Sequence, residues 1–184
     1  MAMYKGVEVY GEVKTHSPFG WQSQYSWMEL FEIAEVVSDV ISIHTEAPWK
    51  GSFKLLERAR SLTEKKILAK GMFVSDKDIQ RAVDIGADYV LVVDRLPKIH
   101  LDKCLIEWST IEDLGKMATG QRAVWNSRIL ETGERKVDTF DKARQIFPGW
   151  LCQASNISNL DQINLAANAV LIGTNLPLLA NQLA

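Results

Sequence analysis

The stretch KKILAKGMFVSDKDIQRAVDIGADYVLVV, residues 65–93, decides the fold. It opens on a short apolar run, KILAKG (66–71), and closes on another, YVLVV (89–93). Runs this short and apolar on both faces suit strands of a parallel sheet covered on both sides. Between them SDKDIQRAVDIGAD has helical spacing. It begins with a Ser75–Asp78 pair of the capping-box kind and ends at Gly86, a C-cap signal. Strand, helix and strand in under thirty residues is a βαβ unit.

The same scheme extends in both directions. Strand candidates fall at 7–14, 40–46, 66–71, 89–93, 104–109, 122–128, 149–155 and 169–174. Amphipathic segments lie between them: SWMELFEIAEVV, GSFKLLERARSLT, STIEDLGKMATG, DTFDKARQIFPG and SNLDQINLAAN. Eight β–α alternations predict a (β/α)8 TIM barrel, residues 1–184 forming one domain. A doubly wound open sheet is the rival, but no strand is followed by a G-x-G-x-x-G turn. The barrel is trimmed. Its fourth crossover, DRLPKIHLDK (94–103), holds a proline and is too short for a full helix.

Bulk properties narrow the function. Of 184 residues 47% are hydrophobic, enough for a core without disulfides. A net charge of −2 offers no basic field for nucleic acid. No apolar run reaches the ~20 residues of a membrane span, and the N-terminus lacks the apolar stretch of a signal peptide. Cys104 and Cys152 sit in apolar runs and read as core thiols in a reducing compartment. These features lead to the expectation of a cytoplasmic protein. His16, His44 and His100 lack the spacing of a metal site.

Barrel chemistry sits at the C-terminal strand ends. There the sequence places Glu12 and Lys14, the segment His44–Glu46, Lys70, Asp94 and Arg95, Glu107, Asn126 and Arg128, Gln153 and Ser155, and Gly173 and Thr174. A single charge at a strand end is ordinarily where the chain meets water. Lysines, carboxylates, an arginine and an amide on one rim are instead the ingredients of acid–base work, with burial moving their pKa values toward neutrality. SPFG (17–20) and IGTN (172–175) suggest backbone amides for an anion. Trp108 and Trp125 adjoin site positions and should face outward by alternation. Trp21 is expected to pack on the barrel top.

In this order the residues resemble the indole-3-glycerol phosphate synthase family, from Val9 to about Leu176. GEVKTHSP is similar to the family's first-strand motif. ISIHTEAPWKGSFKLLERAR resembles its second strand and helix start, and ILAKGMFVSDKDIQRAVDIGADYVLVV its third and fourth units. LIEWS, WNSRILETGERKVD and AVLIGTNL are similar to its fifth, sixth and eighth strand ends.

The resemblance implies ring closure of 1-(2-carboxyphenylamino)-1-deoxyribulose 5-phosphate to indole-3-glycerol phosphate, with loss of CO2 and water. Lys70 would be the general acid and Glu107 the base, with Glu12 and Lys14 orienting and sharing protons. Asn126 would hold a substrate hydroxyl, and Arg128 would lie near the anthranilate carboxylate. Ser17, Gly173 and Thr174 would hold the phosphate, with Ser155 close by. No metal and no organic cofactor is implied, and the partner is a phosphorylated small molecule. Gly71 would let the backbone turn away after Lys70.

The chain also departs from the family pattern. Strand one starts within the first ten residues, without the helical extension expected to cap the pocket. QASNIS stands where Glu-Ser-Gly is expected, with Ala154 in place of the acid and Asn156 in place of the glycine. Three outcomes fit: a minimal working synthase, a related lyase or isomerase acting on another phosphorylated sugar-like ligand, or a non-catalytic binder of a phosphorylated ligand. Apolar surface at the barrel ends would favour a homodimer.

Overall fold

A computed structural model describes residues 4–183; the outermost residues of the expected 1–184 domain lie outside it. Eight parallel strands, β1 (Glu8–Val13), β2 (Val40–His44), β3 (Lys66–Lys70), β4 (Tyr89–Val93), β5 (Cys104–Glu107), β6 (Arg122–Asn126), β7 (Trp150–Ala154) and β8 (Ala169–Ile172), close in sequence order. β8 pairs with β1 through Glu8–Ala169 and Gly11–Ile172, so the sheet has no edge. The protein is a TIM barrel, as the alternation predicts.

Helices α1 (Trp27–Val37), α2 (Phe53–Leu62), α3 (Asp76–Ile85), α4 (Ile111–Gly115), α5 (Phe140–Ile146) and α6 (Leu176–Leu183) pack outside. Their starts follow local chemistry. The Ser26, Ser52, Ser75, Thr110 and Thr139 side chains each accept from a backbone N–H in the first turn. α3 ends at Gly86 with φ 108°, a left-handed conformation that glycine adopts at no steric cost. The fourth crossover contains turns and no helix.

One crossover differs from expectation. SNLDQINLAAN gives a single 3-10 turn, Leu160–Gln162, in place of an α-helix. Side chains intercept its backbone. The Gln153 amide donates to the Gln162 carbonyl at 2.9 Å, and Gln153 Oε1 accepts from the Asn164 N–H at 2.8 Å. Asn164 Oδ1 then accepts from the Ala166 N–H, bending the chain away. Gln153 therefore faces outward and takes no place at the mouth.

Strand alternation divides the core into two regions. The outer one joins the sheet to the helices through Ile41, Ile67, Val90, Ile106, Trp125 and Val170. The inner one fills the cylinder with Tyr10, Leu68, Leu91, Leu105, Val124, Cys152 and Leu171. Trp125 and Trp108 lie on the outer side, as expected.

The N-terminal end of the cylinder is closed by rings and cations. Tyr10 stacks on Tyr89 at 6.3 Å between ring centres and tilts against Trp150 at 6.2 Å. The Arg122 guanidinium lies 5.0 Å from the Tyr89 ring centre and 5.3 Å from that of Trp150. Burial, reinforced by Cys152 and Glu8, pushes the Tyr10 hydroxyl far above its ordinary pKa. This end is a floor, and the opposite end is the mouth.

Candidate active site

At the mouth, Glu12 on β1 and Lys70 on β3 point inward because each stands an even number of residues from a core position: Tyr10 for the first, Leu68 for the second. The Lys70 ammonium donates to Glu12 Oε1 at 2.6 Å. Glu12 is 3% exposed, so this ion pair is largely removed from water. Burial alone would raise the Glu12 carboxyl. The Lys70 ammonium and His44 outweigh burial and hold it well below the usual carboxylate range. Burial also works to lower Lys70, but Glu12 and then Glu107 outweigh it, and its pKa is raised. The expected drift of Lys70 toward neutrality is thus reversed by its counter-ions.

Lys14 behaves differently. Burial lowers its pKa; Glu12 opposes this, while Lys70 and Arg128 add to it. Its ammonium lies 5.7 Å from the centre of the Trp21 ring. The mouth therefore holds one firmly protonated lysine and one acidified lysine.

Glu107 ends β5 and is 2% exposed. Burial raises its carboxyl, against the lowering effects of Lys70 and the Asn126 hydrogen bond. The Asn126 amide donates to Glu107 Oε1 at 2.9 Å, and Asn126 Oδ1 accepts from the Arg128 N–H at 3.0 Å. One asparagine thus fixes both the carboxylate and the start of the loop after β6.

These groups surround one cavity of about 360 Å³. Its walls include Glu12, Lys14, Lys70, Glu107, Asn126, Arg128, Ser155, Gly173 and Thr174. Ser17 is not among them. It is 2% exposed, and its hydroxyl accepts from the Phe19 N–H within its own loop. Asp94 and Arg95 also turn away. Asp94 accepts from the backbone and hydroxyl of Ser109, and Arg95 binds Asp76 and the Phe73 carbonyl.

Two glycines act through space. A Cβ on Gly173 would lie 1.9 Å from Glu12 Oε2, so the missing side chain makes room for the carboxylate. A Cβ on Gly71 would meet Thr45 Oγ1 at 2.6 Å. The left-handed residue in that loop is Phe73, with φ 47°, so Gly71 serves close approach and not the turn.

Three wall residues have no role in the family resemblance. His44 is 5% exposed, lines the cavity and stacks on Trp49 at 5.6 Å between ring centres. Alternation from Val40 and Ser42 places it inward, which is the signal that could have found it. Arg135 joins the wall because the chain after β6 folds back on itself, with Arg128 and Arg135 forming an antiparallel bridge. The tip of that hairpin packs on Phe19, whose ring a Cβ on Gly133 would meet at 2.8 Å. Asn156 completes that side, its side chain bound to the Ser127 hydroxyl at 2.8 Å. Ser155 and Asn156 both adopt left-handed backbone, with φ 68° and 56°.

No group of His, Cys, Asp and Glu among the described residues could hold a metal ion. No described helix is long and apolar enough to cross a membrane.

The family model for indole-3-glycerol phosphate synthase matches residues 2–182. The chain belongs to the indole-3-glycerol phosphate synthase family. Indole-3-glycerol phosphate synthases from two strains of Clostridium kluyveri are 29% identical to it over 106 residues. That match covers 53% of this chain and 38% of each relative, well under two thirds of their length. Among solved structures, 3-hexulose-6-phosphate synthase from Salmonella typhimurium superposes with a TM-score of 0.65 at 14% identity, over 92% of this chain and 90% of that one. At that identity the likeness concerns the fold.

Proposed function

We propose that the protein is a carbon–carbon lyase that closes the indole ring of 1-(2-carboxyphenylamino)-1-deoxyribulose 5-phosphate, releasing CO2 and water. The observation that carries this reading is one cavity walled by Glu12, Lys70, Glu107 and Asn126, with Lys14, Arg128 and Arg135 on the same wall. Four cationic side chains outnumber two carboxylates there, which suits a ligand bearing both a carboxylate and a phosphate.

In this reaction the ring carbon bearing the carboxylate attacks the ketone carbon. Lys70 donates a hydrogen bond to the ketone oxygen and supplies the proton as that oxygen becomes a hydroxyl. Loss of CO2 returns its bonding pair to the ring and restores aromaticity. Glu107, whose raised pKa makes it the stronger base, then removes a proton from the carbon next to nitrogen. The hydroxyl leaves as water with a proton from acidified Lys14, and the ring double bond forms. Asn126 holds Glu107 in place, and Glu12 keeps Lys70 charged. Arg128 and Arg135 face the anthranilate carboxylate, while Ser155, Gly173 and Thr174 line the phosphate end.

The test is indole fluorescence on mixing purified protein with this substrate. Turnover that disappears in Lys70→Ala, with the fold retained, supports the reading. Tight binding of the phosphorylated substrate without turnover by the wild type would replace it with a binding role.

A further inference from the structure

His44 has no part in the reaction as written, yet it is buried at the mouth beside Glu12. Its Nε2 lies 2.6 Å from Glu12 Oε1, the same oxygen that accepts from Lys70. The contact is too bent for a well-aligned hydrogen bond, and Nε2 has no other partner. Trp49 lies nearly parallel to the imidazole, at an interplanar angle of 5°, and restrains its rotation. The charged groups acting on the ring are Glu12 from β1, Lys70 from β3 and Lys14 just after β1. Glu46, further along its own loop, is engaged by the Met72 N–H.

We propose that His44 is a positioning residue of the Glu12–Lys70 pair, a neutral imidazole that shares Glu12 Oε1 with the ammonium and sets how readily Lys70 releases its proton. The physical reason is competition for one acceptor. A neutral ring leaves the Glu12 charge committed to Lys70, which stays protonated and tightly held. A second proton on the ring would place a third cation beside Lys14 and Lys70, weaken the pull of Glu12 on Lys70 and acidify it. Burial, the first cause, drives His44 toward the neutral form; Glu12 opposes it and the two lysines assist. The imidazole is thus coupled to both members of the pair.

The kinetic consequence rests on the synthase reading; the coupling itself does not. Nitrogen NMR of 15N-histidine-labelled protein tests the coupling directly. His16 and His100 are the only other histidines, so His44→Gln assigns the signal. The His44 signal is expected to be that of a neutral Nε2–H ring at pH 7, titrating below ordinary histidine. Glu12→Gln should move that midpoint further down and Lys70→Met should move it up, each by about half a unit or more. Lys14→Met, which leaves the buried pair intact, should also move it up and serves if either of the others fails to fold. A midpoint unmoved in the folded variants overturns the proposal. In turnover, His44→Gln should lower kcat about 10- to 100-fold with KM changed by less than about threefold, and should displace the acidic limb of the kcat–pH profile. An unchanged profile also overturns it. A wild type without turnover would sink the synthase reading and leave the NMR result standing.

Discussion

A methyl group on Gly173 would lie 1.9 Å from Oε2 of Glu12. The backbone just after β8 therefore makes room for the Glu12 carboxylate on β1, at a residue that the family resemblance would give to phosphate. Gly173→Ala should displace the Glu12 carboxylate from Lys70. The expected result is at least about a 100-fold loss of kcat and a destabilisation of about 1–3 kcal/mol, read by steady-state kinetics and urea unfolding.

Lys70→Met should introduce a pH dependence of stability near neutrality that the intact pair does not have. In the wild type the Glu12 pKa is depressed, so its contribution is present above its unfolded value of about 4.3 and is lost as pH falls through the folded value. The Lys70 pKa is raised, so its contribution is present below about 10.4 and is lost as pH rises through the folded value. Without the ammonium, burial pushes Glu12 upward, and the folded state then binds a proton more readily than the unfolded chain. Urea midpoints should be higher at pH 5 than at pH 8 in the variant, the opposite of a depressed carboxyl.

Glu107→Gln should separate stability from activity. Burial raises this carboxyl, so its ionised form costs stability as pH rises through the folded value. The amide retains an acceptor for Asn126 and removes the buried charge. The melting temperature at pH 8 should rise by a few degrees while turnover falls about 100-fold or more.

Arg135→Ala and Arg128→Ala should act mainly on binding. Both line the cavity, and neither touches the Glu12–Lys70 pair. KM should rise about tenfold in each with kcat changed little, as expected when a charge contact is equally strong in substrate and transition state.

Arg122→Ala provides a control on the floor of the barrel. Losing the guanidinium over Tyr89 and Trp150 should cost about 1–2 kcal/mol in unfolding experiments. The catalytic constants should stay within about twofold, since the site lies at the other end.

Sequence pattern alone carried the strands, because a two-residue period and paired cappers are local properties. It also carried the inward direction of Glu12, Lys70, Glu107 and Asn126, which follows from counting along each strand. It failed where the outcome depends on a partner far away in the chain. Gln153 reads as a rim residue until Gln162 and Asn164 claim its side chain. Gly71 reads as a turn residue until Thr45 and Glu46 close over it. His44 reads as a strand-end polar residue without metal-site spacing, and the neighbour that gives it meaning is a carboxylate on the adjacent strand. Arg135 enters the wall only through a hairpin that no local period announces.

With its floor sealed by Tyr10, Tyr89, Trp150 and Arg122, the cylinder is a well and not a tunnel. Phe19 and the hairpin after β6, which touch each other through Gly133, form part of the wall of that well. A ligand that enters such a well from the mouth must leave by the mouth, so entry and departure cannot overlap.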